Sequence, residues 1–121
     1  MRLRPAQHLR RQSDIRSVRQ QGIRVDCGAF TVWWMARAGG AALPRACFVA
    51  STQAVGAAVL RNRAKRRMRE IFRRKQGLLP PSCDLMLVAR SSVNQWPFAR
   101  LESAFAESCG RISSKLTPKS P

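Results

Sequence analysis

The stretch "RNRAKRRMREIFRRK", Arg61 to Lys75, limits what this chain can become more than any other. It holds nine Lys or Arg and a single acid, Glu70. Like charges this dense repel one another, and such blocks are usually disordered. On a helix, however, residues advance by about 100° each, so i, i+4, i+8 and i+11 share a side. Leu60, Ala64, Met68 and Ile71 fall at that spacing, with Phe72 beside them. Asn62, Arg66, Arg69 and Arg73 fall on another side, with Lys65 adjacent. The segment therefore reads as an amphipathic helix. Burying its apolar stripe offsets the repulsion by about 1.5–3 kcal/mol per large side chain, and Arg and Lys are good helix formers in their own right.

The whole chain shares the bias. Its 121 residues suit one domain, and an apolar fraction of 45% suits a packed core. Against 23 Lys+Arg stand 6 Asp+Glu, a formal net charge of +17. Such an imbalance destabilises a compact chain unless a polyanion or salt screens it. Nucleic acid and an anionic membrane surface are the two natural partners. Most of the cations are arginine, which binds phosphate through two N–H groups and stacks on bases, and this favours nucleic acid. No run approaches the eighteen or so apolar residues of a membrane span. The opening "MRLRPAQHLRRQSD" lacks the apolar centre of a secretory signal, so a cytoplasmic protein is expected, with an Arg-rich organelle transit peptide as the alternative.

Along the chain, residues 1–11 read as a flexible basic arm, 12–112 as a single nucleic-acid-binding domain, and 113–121 as a flexible tail. "SDIRSVRQQG" reads as a short helix with Ser13 as its N-cap, an Ile15/Val18 apolar pair and Gly22 as its end. "GAFTVWWMAR", 28–37, and "RACFVAST", 45–52, read as strands joined as an antiparallel hairpin through the "AGGAALP" loop. After the basic helix, "LLPPSC" is a rigid break and "CDLMLVAR", 83–90, has the continuous apolar run of a buried strand. A last amphipathic helix follows, with Phe98, Leu101, Phe105 and Ile112 on its apolar side and Pro97 near its first turn. The order α-β-β-α-β-α implies a small α+β sandwich, one sheet with helices mainly on one side and the opposite face open to a ligand.

Chemistry-bearing groups are sparse. Cys27, Cys47, Cys83 and Cys109 are widely spaced, with no Cys-x-x-Cys pair, and His8 is the lone histidine. That pattern fits small buried apolar residues in a reducing compartment rather than a zinc site. A protein nuclease needs metal-binding carboxylates or an acid–base pair set together. Asp14, Asp26, Asp84, Glu102 and Glu107 are instead scattered over several elements, and Glu70 sits among arginines. No catalytic residue and no protein-held cofactor or metal is expected. The cationic helix face is either simply solvated or a polyanion site. A solvated face would mix signs into i, i+4 pairs, and only Glu70 is available for that. Asn62, set among the arginines, adds a group able to hydrogen-bond sugar, base or backbone.

With "VGAAVLRNRAKRRMRE" placed on a helix, the chain resembles the protein subunit of bacterial ribonuclease P. The matching residues are Gly56, Ala58, Val59, Arg61, Asn62, Arg63, Lys65, Arg66 and Arg69, and the likeness spans most of residues 9–112. The resemblance implies a ribosomal-protein-like α/β sandwich with a left-handed β-α-β crossover around the basic helix, a hand rare in proteins. It implies binding to the large catalytic RNA through Arg61, Asn62, Arg63, Lys65, Arg66 and Arg69. It further implies a cleft between the first helix and the sheet that holds the 5′ leader of precursor tRNA, with Phe30 and Trp33 on the strand side. The helix side departs from the family, with Ile15 and Arg19 where phenylalanines are typical, and Gln53, Ala54 and Ala57 surround the glycine where basic residues and an asparagine are common. By the same resemblance Mg2+ is required by the RNA of the holoenzyme, and no obligate protein partner is expected. A ribosomal or other structural RNA-binding protein is the alternative, and a DNA-binding recognition helix is a third reading.

Overall fold

The computed structural model describes residues 7–9, 11–36, 43–79 and 82–116. The elements run α1 (Gln12–Gln21), β1 (Ile23–Asp26), β2 (Phe30–Ala36), β3 (Arg45–Val49), α2 (Thr52–Val55), α3 (Ala58–Lys75), β4 (Cys83–Ala89) and α4 (Phe98–Leu116). Short 3-10 turns at Gln76–Leu78 and Ser91–Asn94 lead into β4 and α4.

The four strands lie in the order β1-β2-β4-β3. β1 pairs antiparallel with β2, β2 antiparallel with β4, and β3 parallel with β4. The expected hairpin between 28–37 and 45–52 is therefore corrected. β2 turns back onto β1, a four-residue strand that the sequence reading passed over, and β3 finds its partner through the long α2–α3 crossover. β4, an inner strand, carries the near-continuous burial its apolar run requires.

Alternation along the strands sorts side chains onto two faces. Phe30, Val32 and Trp34 of β2 join Leu85, Leu87 and Ala89 of β4 beneath α3 and α4. There α3 buries Ala64, Met68, Ile71 and Phe72, and α4 contributes Leu101, Phe105 and Ile112, all fully buried. Phe72 sits at the junction, its ring 6.0 Å from Phe48 and 6.5 Å from Phe105. Leu60, expected at the head of the α3 stripe, is instead 41% exposed. Phe98 is only partly buried at the start of α4.

The opposite face is partly covered by α1. Val18 is wholly buried there with Leu9 and Met86, and Ile15, Trp33, Met35, Cys47 and Val88 pack half-exposed around them. α1 begins at Gln12 with Arg11, not Ser13, in the N-cap position. Its end passes so close to the sheet that a Cβ on Gly22 would lie 2.2 Å from the Val18 carbonyl oxygen and 2.8 Å from that of Trp34, so a glycine is required. Asp14 on α1 reaches Arg45 on β3, which holds buried Asp84 through two hydrogen bonds of 2.9 and 2.7 Å. Gly28, at φ +88°, underlies Trp96, whose ring would clash with any side chain there. The terminal segments differ from expectation where they are described. Leu9 donates its N–H to the Ala46 carbonyl at 2.9 Å, so residues 7–9 of the expected arm pack along β3. α4 runs on to Leu116, four residues into the expected tail. Residues 1–6, 10 and 117–121 of those two segments lie outside the described residues.

Candidate nucleic-acid interface

The buried stripe of α3 fixes the helix against the sheet and so decides which side chains look outward. Asn62, Arg63, Arg66 and Arg69 are exposed, and Arg61 and Lys65 are half-exposed. All six residues expected to meet RNA are thus presented from one rigid helix. The Arg69 guanidinium rests 5.5 Å from the centre of the Phe48 ring, which props it over the neighbouring strand.

Of the remaining cations of this helix, Arg67, Arg73 and Arg74 are engaged. Glu70 takes hydrogen bonds from both Arg73 and Arg74, with the Arg74 Nε at 3.1 Å. The Arg73 hydrogen bond chiefly holds the Glu70 carboxyl down at about 2. Arg74 also meets Glu102 of α4 at 3.4 Å. Arg67 turns the other way. Its Nε donates to the Val93 carbonyl at 2.9 Å and its Nη2 to that of Trp96, tying α3 to the turn before α4. Burial of that guanidinium lowers its pKa, with Arg63 adding to the effect. The helix is therefore partly offset towards its C-terminal end, by Glu70 and Glu102, and left unopposed along its first two-thirds, where its first turn carries no acid.

The same pattern extends over the molecule. All six acidic side chains are engaged by arginine: Asp14 and Asp84 by Arg45, Asp26 by Arg90, Glu70 by Arg73 and Arg74, Glu102 by Arg74, and Glu107 by Arg111. Paired bonds from Arg90, at 2.8 and 3.0 Å, and one from the Gly28 N–H hold Asp26 at about 2. Among the described residues no three His, Cys, Asp or Glu gather where a metal could sit. The cysteines are free thiols, and burial pushes Cys27 and Cys47 up to about 11 and Cys109 up to about 12, away from thiolate chemistry at neutral pH.

On the other face of the sheet, α1 packs across the strands through the buried Val18. Ile15, Arg19 and Trp33 meet there, the Arg19 guanidinium 5.3 Å from the centre of the Trp33 ring. Met35, Cys47 and Val88 pack half-buried around the same cluster. Phe30 does not belong to it. Three residues from Trp33 on one strand, it faces the opposite way and is wholly buried 6.3 Å from Phe105. The expected pair is corrected to Trp33 alone, an outcome the two-residue period of a strand dictates. Arg24, which sequence reasoning missed because β1 was not recognised, stands directly across from Trp33 on β1 and on the same face. Cys47 and Val88 were visible only as strand residues of the right parity once the β3–β4 register is known.

A cationic helical face on one side of a sheet, with a half-buried tryptophan beside arginine on the other, marks a basic α+β domain of the nucleic-acid-binding class. Comparison with known proteins gives the family. The Ribonuclease P family model matches residues 3–113. A ribonuclease P protein component from Acidothermus cellulolyticus is 33% identical over 110 residues, 87% of each chain. Among solved structures, the RNase P protein from Thermotoga maritima is similar at a TM-score of 0.69 and 28% identity, covering 93% of this chain and 97% of that one. The Staphylococcus aureus protein, at 21% identity, shares the fold with a TM-score of 0.73 over 93% of this chain and 99% of its own. The chain belongs to the ribonuclease P protein family, whose members are the protein components of the holoenzyme acting in tRNA 5′ processing.

Proposed function

We propose that this chain binds the catalytic RNA of ribonuclease P through α3 and the 5′ leader of precursor tRNA through the side of the sheet that α1 packs on, and so assists removal of the leader. The observation that carries the reading is the α3 face: Asn62, Arg63, Arg66 and Arg69 stand exposed above a seam of Ala64, Met68, Ile71 and Phe72 that has no exposure to solvent. A charged face held rigid can match a folded RNA, because its cations are ordered before binding rather than by it. Arg61 and Lys65 flank that row and complete the contact. Opposite it, Ile15, Arg19 and Trp33 offer unpaired bases a mixed apolar and stacking surface. The partners are the catalytic RNA and precursor tRNA, and the compartment is the cytoplasm, in keeping with the free thiols and with no described helix long and apolar enough to cross a membrane.

The mechanism assigns the polypeptide charge and position rather than bond cleavage. Each carboxylate is held by a guanidinium, so this donor set does not fit a Mg2+ ion held by the protein alone. Mg2+ belongs to the RNA in this reading. The protein's work is to lower repulsion between two polyanions: cations on α3 and beside Trp33 displace counterions from both RNAs and let them approach. Reconstitution tests this. Protein alone should cleave no precursor, and protein added to its catalytic RNA should restore 5′ cleavage at a low Mg2+ concentration where the RNA alone is slow. Cleavage unaffected by the protein at every Mg2+ level would overturn the assignment.

A further inference from the structure

The turn that leads into α4 is held more firmly than starting a helix demands. Trp96 donates its backbone N–H to the Ser92 carbonyl at 3.0 Å, and its own carbonyl accepts from Arg67 of α3. Its ring sits over Gly28, where φ of +88° and the missing side chain leave room for it. Arg100, one helical turn on, lays its guanidinium over that ring at 3.8 Å, nearer than any other cation–π contact among the described residues. Its side chain is exposed and meets no carboxylate among the described residues. Arg90, beside Gly28, and Arg111, farther along α4, each hold one. The same turn is fastened to α3 at two further points: Asn94 donates to the Leu60 carbonyl at 2.9 Å, and the Arg67 Nε to that of Val93 at 2.9 Å. Exposed Arg63 lies one turn before Arg67 on that side of α3, so the cationic face of the helix continues towards the start of α4.

We propose that Arg100, held in place by Trp96, is a further phosphate contact for the catalytic RNA, carrying the interface from α3 onto the first turn of α4. The inference rests on the α3 reading above and adds a second element to it. A guanidinium stacked on a ring keeps its N–H donors in its own plane, where two of them can grip one phosphate. The stack also removes rotamer freedom before binding that a loose arginine would lose on binding. Trp96 is thus a positioning residue that orients the cation without touching the RNA itself. The free donors call for an anion with paired acceptor oxygens, and continuity with α3 makes the catalytic RNA its source rather than the precursor.

Titration of the full chain into its catalytic RNA at several salt concentrations tests this. Arg100→Gln should bind several-fold more weakly, with a log–log salt slope smaller by about 0.7–0.9, the loss of one phosphate contact. Arg100→Lys should keep the slope and still lose affinity, because an ammonium neither stacks as a plane nor grips a phosphate twice. Trp96→Leu should do the same, since the charge remains and only its support is gone. Hydroxyl-radical footprinting of the RNA should show one backbone segment whose protection disappears in Arg100→Gln and persists in Arg66→Ala. Thermal unfolding of each variant controls for folding, and if Trp96→Leu does not fold, the two Arg100 variants decide. A wild-type slope in Arg100→Gln, wild-type affinity in Arg100→Lys, the absence of such a segment, or an effect confined to precursor binding by the holoenzyme would each overturn the proposal. Arg66→Ala keeps the two readings apart: a reduced slope there with none in Arg100→Gln removes the extension alone, whereas no change in either removes the α3 reading as well.

Discussion

Replacing Phe72 by alanine separates what holds α3 in place from what α3 holds. Phe72 has no solvent exposure and touches two other rings, Phe48 at 6.0 Å and Phe105 at 6.5 Å, from β3 and α4 respectively. Truncating a phenylalanine in such a site costs about 3–5 kcal/mol, the lost transfer energy plus the cavity. For a domain near this size each kcal/mol lowers the melting temperature by about 4–8 °C, so the expected fall is about 12 °C or more. Arg66→Ala provides the contrast. Its side chain is exposed, so the cost to stability should stay within about 0.5 kcal/mol. Thermal unfolding followed by circular dichroism at low and moderate salt measures both. Raising the salt should stabilise wild type and Phe72→Ala alike, because it screens repulsion among the cations without touching the seam. A loss below about 1 kcal/mol in Phe72→Ala would mean that the apolar seam is not what fixes the helix, and the account of a rigid cationic face would fail with it.

Other consequences are equally direct. Arg66→Ala and Arg69→Ala should each weaken binding to the catalytic RNA and reduce its salt slope by about one, as measured by titration at several salt concentrations. Arg67→Met should behave oppositely: it leaves the Val93 and Trp96 carbonyls without their donors and lowers stability by about 1–3 kcal/mol, with the salt slope of RNA binding unchanged. The pH dependence follows from depressed carboxyl groups. Glu70, ordinarily at 4.5, titrates at about 2 in the folded chain, and Asp26 shifts from 3.8 to about 2. Their ion pairs therefore support the fold fully above the unfolded values and are lost as pH falls towards about 2. Melting temperature measured against pH should drop across that acid window, and Glu70→Gln should flatten part of the drop.

How much of this was legible beforehand depends on how local the determining contact is. α3 could be placed from its own residues, because the spacing of Ala64, Met68, Ile71 and Phe72 states which side must be buried. The last helix was legible for the same reason. Strand pairing was not. "IRVD" is four residues long with two charges, and nothing within it announces a strand; only its pairing with Thr31–Trp34 makes one. The "AGGAALP" loop has turn chemistry, but turn chemistry does not say which strand the chain returns to, and β3 pairs across the crossover with β4. The Phe30 error is of a different kind. Its spacing from Trp33 already puts the two on opposite faces, so parity outranks the resemblance that grouped them. Leu60 shows the limit of a helical stripe, which gives the side that faces inward but not how far along the helix there is something to face.

The engagement of every carboxylate by an arginine has a consequence for selectivity. Such a surface keeps no negative patch with which to turn a mismatched polyanion away, and at low ionic strength nearly any RNA will attract it. Discrimination must then come after arrival, through how long each encounter lasts: a partner whose phosphates fall in step with the fixed guanidiniums stays, and the rest exchange off as salt competes for them.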